Sequence, residues 1–345
     1  MFRILSLDGG GIRGAFSAAV VAEIEEKLPK TIGHYFDLVA GTSTGGLIAA
    51  AVACGVPAKE VVALYRNHGP KIFSPRPNVG CSSLSGKVGM WLLRKPFLNK
   101  FGFRLDDVFQ TKYEQAALRS AIADVIGDKK IGDISLSRLV IPAVDLVNGR
   151  TIVFKTPHLP KMTRDRSFAL VDVLLATTAA PTYFPAAKVD QKLTVVDGGL
   201  WANNPSIVAL AETQKILENF REGSDPKFSM DEVMVLSVGT GSPGYSIAPP
   251  NETGLAWWGP QLVNLVLNSQ GQGVDFQMKY LLGERYRRVD FSLPDNSWTL
   301  DAVKITEQLI SKGCTAAHDQ LADILDIFMK EESASYHAFP ETNGG

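Results

Sequence analysis

Apolar residues in this chain fall into two patterns that alternate along its length. Short, nearly continuous apolar runs of strand length occur at residues 3–7, 36–40, 193–196 and 232–238. Such runs read as strands buried on both faces. Between them lie longer stretches with helical spacing. Residues 15–28 place Phe16, Val20, Ile24 and Leu28 four apart, with Pro29 closing the helix. Further helices are expected at 47–54, 57–68, 111–126, 168–180, 206–219 and 257–282. Gly55 stops the first of these, and Pro181 and Pro185 break the chain after the fourth. Residues 301–312 and 316–330 read as two helices separated at Gly313. Residues 139–146 and 151–155 flank Asn148-Gly149, a hairpin turn signal, and residues 286–293 alternate like a strand. Strands interleaved with helices predict an α/β fold with a mainly parallel central sheet.

At 345 residues the chain can bury a substantial core. With 45% hydrophobic and 21% charged residues it has a globular composition. Residues 1–330 are expected to form a single domain and residues 331–345 a loose polar tail. The apolar run before Asp8 is too short for a signal peptide, and residues 47–54 are too few to span a bilayer. The three cysteines, at 54, 81 and 314, are far apart and suggest a reducing compartment. A cytoplasmic protein is therefore expected. The five histidines are scattered and no metal-ligand spacing occurs, so neither a metal nor a cofactor is expected.

Charge is unevenly spread. Of 35 basic residues, eight fall between positions 61 and 105, where no acid occurs; the other 27 face all 36 acidic residues. This stretch mixes its cations with Trp91, Leu92 and Phe97 beside Arg94 and Lys95. Cations with aromatic and apolar bulk suit an anionic membrane surface, so residues 61–105 are a candidate cap or lid facing lipid. The plain alternative is a covering segment with its aromatics packed inward. A nucleic-acid polymer is disfavoured because the whole chain is not basic. Gly80 to Lys87 imitates a phosphate-binding loop but has one residue too many, and Val88 stands where Ser or Thr is required.

Three glycine-rich segments carry the candidate chemistry. Gly41-Thr42-Ser43-Thr44-Gly45 lies between a strand and a helix, the context a nucleophilic serine elbow needs. Small residues at Gly41 and Gly45 permit the sharp turn, and the following helix N-terminus favours negative charge at Ser43. Asp8-Gly9-Gly10-Gly11-Ile12-Arg13-Gly14 joins another strand to another helix. It matches a dinucleotide fingerprint, yet the second strand ends in Gly41-Thr42-Ser43 instead of the acid that would hold a ribose. The other use of such a loop is an oxyanion hole built from clustered N–H groups. Arg13 would fix that loop, add positive charge to it, or merely cap local carbonyls. Gly239 to Gly244 repeats the glycine spacing, but Pro243 follows where a helix should begin. The third segment, Asp197-Gly198-Gly199, ends a strand with an acid that would serve as general base if it reaches the serine.

These three motifs in this order resemble the patatin-like phospholipases, and residues 175–181 are similar to the helix and proline turn that lead to the family's base. The resemblance covers residues 2–241. It implies a three-layer α/β/α sandwich and a lipid acyl hydrolase of phospholipase A type, acting on membrane glycerophospholipids. It further implies a Ser43–Asp197 dyad, an oxyanion hole from Gly9, Gly10 and Gly11 with Arg13, and no metal. A narrower similarity, to bacterial antiviral effectors of this family, implies a cyclic-nucleotide activator. No residue pattern here reads such a nucleotide. A peripheral association with the inner face of the membrane and a homo-oligomer complete the expected partners. A dinucleotide-dependent oxidoreductase and a catalytically silent binding module on the same fold are the competing classes.

Overall fold

The computed structural model describes residues 1–76, 110–159, 162–220, 228–244, 255–334 and 336. Trp91, Leu92, Arg94, Lys95 and Phe97 lie outside these residues, as does most of the basic stretch.

The centre of the fold is a mainly parallel sheet, eight-stranded among the described residues. β1 (Phe2–Leu7) lies between β2 (Leu38–Gly41) and β7 (Val233–Val238), parallel to both, and β9 (Tyr286–Val289) continues the sheet beyond β7. On the other side of β2, β3 (Arg138–Asp145) runs parallel to it, Val140 opposite Ala40. β4 (Arg150–Lys155) returns antiparallel along β3 through the expected Asn148-Gly149 turn, where Gly149 takes φ 62°.

The edge of β3 that faces β2 is longer than β2. β2 stops at Gly41, and the rest of that edge is taken by β6 (Leu193–Asp197), antiparallel to β3 with Asp197 opposite Ala143. β4 occupies the opposite edge of β3 at the same residues, so β2 and β6 meet end to end on one edge. A short β5 (Ala187–Val189) pairs with β6. β8 (Ser242–Pro243) and β10 (Ser292–Leu293) form a separate two-stranded sheet.

Helices cover both faces, which makes the three-layer sandwich. Strand alternation divides the core. Leu5 and Leu7 of β1 face one layer, whereas Phe2 and Ile4 face the other. The first layer holds α1 (Gly14–Glu25), α2 (Thr44–Ala53), α3 (Ala58–Ile72), α4 (Gln115–Ile126), α5 (Leu170–Thr177) and α9 (Thr306–Phe328). The second holds α7 (Ser206–Phe220) and α8 (Leu255–Leu282), which pack through Ala209, Leu210, Val274 and Met278. The one-turn α6 (Gly199–Ala202) follows β6.

Four expectations are corrected. Residues 301–330 do not form two helices: Gly313 sits inside the single helix α9. Its missing side chain lets α9 lie against α1, since a Cβ there would be 2.5 Å from the Phe16 carbonyl oxygen. α1 is buried on nearly all sides because α3 and α9 enclose it, and it ends at Glu25, not Leu28. There the Glu25 carboxylate accepts the N–H groups of Ile32 and Ala58. The basic stretch is not an insertion from residue 61, because α3 carries Val61, Leu64 and Tyr65 into the core and runs through Pro70 to Ile72. Finally, the start of the tail is docked. The N–H of Ser333 donates to the His34 carbonyl at 2.7 Å, and Tyr336 is buried against the Arg138 guanidinium, 5.2 Å from the ring centre.

Candidate active site

Where β2 and β6 meet, Gly41 turns sharply into α2. Both elbow glycines are dictated by contact. A Cβ on Gly41 would lie 2.2 Å from the Gly45 carbonyl oxygen, and one on Gly45 would lie 2.2 Å from the Leu7 carbonyl oxygen. The turn forces Ser43 to φ 55° and ψ −127°, a region that L residues occupy only under strain. The strain is held from two sides. The Ser43 N–H donates to Thr177 Oγ1 at 2.9 Å, and Thr177 in turn donates to the Pro142 carbonyl. Thr42 Oγ1 donates to the Ala202 carbonyl at 2.6 Å. Neither Thr177 nor its role was legible in the sequence; a threonine ending an apolar helix carries no such signal.

Ser43 Oγ donates to Asp197 Oδ2 at 2.7 Å. β6 brings the acid to the serine by running antiparallel to β3 and abutting β2, so the carboxyl ends of both strands point at one gap. Gly199 N–H donates to Asp197 Oδ1 at 2.7 Å. Burial pushes the Asp197 carboxyl up to about 7, against the Ser43 and Gly199 hydrogen bonds, which favour the ionised form. Its partners are neutral donors, so desolvation dominates.

The glycine loop lies beside this pair, and its hydrogen bonds can be accounted for one by one. Gly9 N–H donates to the Asn203 carbonyl at 3.0 Å, and the Gly9 carbonyl accepts from Thr240 Oγ1 at 2.8 Å. The Gly10 carbonyl accepts the Arg13 N–H, the Gly11 carbonyl accepts the Gly14 N–H, and Ile12 N–H donates to Leu300. Among the described residues this leaves the N–H groups of Gly10 and Gly11 without acceptors, and both residues line the pocket that contains Ser43. Gly9 is therefore removed from the expected oxyanion hole, because its donor is spent on Asn203. Arg13 is buried and is not part of the pocket lining.

Beneath the loop, Arg288 Nη2 donates to Asp8 at 2.7 Å and to Asp290 at 2.8 Å, while Asp290 accepts the Gly241 N–H at 2.8 Å. Burial raises the Asp8 carboxyl to about 6 even though Arg288 lies beside it. This network ties the first glycine loop to the second. Gly239 is thereby explained, since a Cβ there would overlap the Asp290 carboxylate. Thr240 and the Leu300 carbonyl press against Gly10 and Gly11, where a dinucleotide pyrophosphate would need room. Arg288 and Asp290 escaped notice in the sequence because they lie in a stretch legible only as a strand.

The pocket over Ser43 opens to solvent and is walled by Leu64, Ile72, Phe73, Leu118, Phe184 and Leu267. Its apolar walls fit a hydrocarbon chain. Among the described residues no cluster of His, Cys, Asp and Glu is arranged to hold a metal ion.

Residues 5–210 match the family model of the patatin-like phospholipases. The chain belongs to this family. Membership makes it a lipid acyl hydrolase. It is 34% identical to a cGAMP-activated phospholipase of Pseudomonas aeruginosa over 94% of this chain and 90% of that protein. It is also 34% identical to a cGAMP-activated phospholipase of Vibrio cholerae, over 82% of this chain and 77% of the relative. Patatin-like protein 2 of Oryza sativa is 28% identical over 95% of this chain and 88% of its own length.

Proposed function

We propose that this patatin-like protein cleaves fatty-acyl esters of membrane glycerophospholipids through a Ser43–Asp197 dyad. The observation that carries the reading is the 2.7 Å hydrogen bond from Ser43 Oγ to a buried carboxylate. Ser43 attacks the ester carbonyl while Asp197 accepts its proton. The oxyanion that forms is stabilised by the Gly10 and Gly11 N–H groups and the N-terminus of α2. Asp197 then returns the proton to the departing lysolipid oxygen. Water, deprotonated by Asp197, attacks the acyl-Ser43 ester and releases the fatty acid. The acyl chain occupies the apolar pocket. Desolvation serves the base here: a carboxylate at about 7 accepts a proton more readily than one in the ordinary range.

Two finer elements belong to the same proposal. The cGAMP-activated relatives support a cyclic-nucleotide activator, and with it a part in antiviral defence. The cations and aromatics around Trp91 and Lys95 support a peripheral contact with an anionic membrane from the cytoplasmic side. Among the described residues no helix is long and apolar enough to cross a membrane.

The test is hydrolysis of phosphatidylglycerol-containing vesicles, with and without cGAMP, by the wild type, Ser43→Ala and Asp197→Asn. Each variant is expected to lose activity by about 10³-fold or more. Fluorophosphonate should modify Ser43 in the wild type alone. Full activity in either variant overturns the dyad, and activity indifferent to cGAMP overturns the activator.

A further inference from the structure

We propose that the side chain of Asn203 positions the water that releases the fatty acid from acyl-Ser43. This rests on the dyad reading and deepens it. Asn203 follows α6, six residues after Asp197, and its residue is only 6% exposed. Its backbone already has a task, accepting the Gly9 N–H. Its side-chain Oδ1 is buried and receives no hydrogen bond from the described residues. A buried amide oxygen without a donor costs about 1–3 kcal/mol, so its position calls for an explanation.

The surroundings of Oδ1 supply one. The point where Gly9 would carry a Cβ lies 2.5 Å from Asn203 Oδ1 and 3.1 Å from Ser43 Cβ. The corresponding point on Gly199 lies 3.0 Å from Asp197 Oδ1 and 3.1 Å from Asn203 Oδ1. The amide oxygen thus looks across two glycines at the nucleophile and at the base, and Asn203 lines their pocket. A side chain on Gly9 would overlap Asn203 Oδ1, and one on Gly199 would meet Leu267 Cδ2 at 2.4 Å, so neither position admits one. Two acceptors around one small space suit a molecule with two donors.

The chemistry specifies when that molecule is needed. In the resting site Ser43 Oγ supplies the hydrogen bond to Asp197 Oδ2. Once Ser43 is acylated its oxygen carries no proton, and Asp197 loses this donor. A water then gives one O–H to Asp197 and the other to Asn203 Oδ1, which turns a lone pair toward the acyl carbonyl. Its oxygen bonds to the carbonyl carbon as Asp197 takes the first proton. The carbon–Oγ bond breaks, Asp197 returns that proton to Oγ, and the second hydrogen leaves with the fatty acid. Acylation uses no water, so Asn203 is assigned to the second half of the cycle alone.

That asymmetry makes the test. Asn203→Leu keeps the size of the side chain and removes the acceptor; Asn203→Ala is the second variant, should Leu not fold. A stoichiometric pulse of p-nitrophenyl butyrate forms the acyl-enzyme, whose decay is followed by intact mass. Fluorophosphonate labelling reports attack by Ser43 without any water. Expected are labelling rates within about twofold of wild type and acyl-enzyme decay slowed about tenfold or more. Hydroxylamine, which needs less activation, should speed that decay more in the variants than in the wild type. Decay at the wild-type rate overturns the assignment. Labelling and decay slowed equally also overturn it, since Asn203 would then only support the oxyanion loop. If, with cGAMP present, the wild type neither forms an acyl-enzyme nor takes the fluorophosphonate label at Ser43, the dyad reading itself falls, independently of Asn203.

Discussion

Asp197 is costly to keep where it is. Its carboxyl is raised to about 7, by burial first, with only neutral donors around it. Between the ordinary carboxylate range and pH 7 the folded protein holds a proton that the unfolded chain has lost. Stability from this group is therefore greatest at low pH, falls as pH rises through that window, and is level above it. Asp8, raised to about 6 mainly by burial, acts in the same direction over a narrower window. Activity should run the other way, because in the proposed dyad Asp197 must be ionised to take the proton. We expect kcat/KM on a soluble ester to rise with pH to a plateau, with its midpoint near 7. Asp197→Asn should melt several degrees above the wild type at pH 8 and show little difference near pH 4. A melting gap independent of pH would disprove the link. The sequence displayed Ser43 and Asp197 through their motifs, because a glycine-flanked turn leaves a local signature. Asn203 and Thr177 left none, because their roles come from side chains that meet only after folding.

At the level of elements, glycines decide which helices touch. Gly313 reads in the sequence as a break, since glycine lowers helix propensity by about 1 kcal/mol relative to alanine. In the fold the helix runs on through it, and the absent side chain brings α9 against the backbone of α1. Propensity loses to packing there. Gly273 of α8 is the contrasting case: it is exposed, and nothing lies within 4 Å of a Cβ placed on it. Gly273→Ala should therefore stabilise by about 0.5–1 kcal/mol. Gly313→Ala should destabilise by about 1–3 kcal/mol despite the same gain in propensity, because α9 must move off α1. Urea unfolding of the two variants checks both signs, and a stabilised Gly313→Ala would show that the close approach is dispensable. The elbow obeys the same logic, with contacts so short that both of its glycines were legible as a motif.

Across the whole molecule, distant parts of the chain close over one another. Arg3 Nη1 donates to the Phe328 carbonyl at 2.9 Å and also to Glu331, which ties the first strand to the end of α9. Ser333 and Tyr336 continue this closure onto His34 and Arg138. Ending the chain at Glu332 should lower stability by about 1–3 kcal/mol, read as a fall in Tm, because it uncovers the tyrosine's site. Tyr336→Ala alone should account for most of that fall. A truncated protein with unchanged Tm would return residues 333–345 to the loose tail that their polarity suggests.

The amino-acid sequence by itself determined the alternation of strands and helices, the hairpin at Asn148-Gly149 and the three glycine motifs. Each depends on neighbours within a few positions, and local sterics and periodicity write such features directly into the chain. It could not determine that β6 enters antiparallel and takes over the edge of β3 where β2 stops, and this places the Asp197 carboxyl beside the Ser43 hydroxyl. Nor could it determine that Gly9 spends its N–H on Asn203, which leaves Gly10 and Gly11 as the donors available to the proposed oxyanion hole. Those outcomes depend on groups some 150–200 positions apart competing for the same hydrogen bonds and the same strand edge. Only the packed chain settles such a competition.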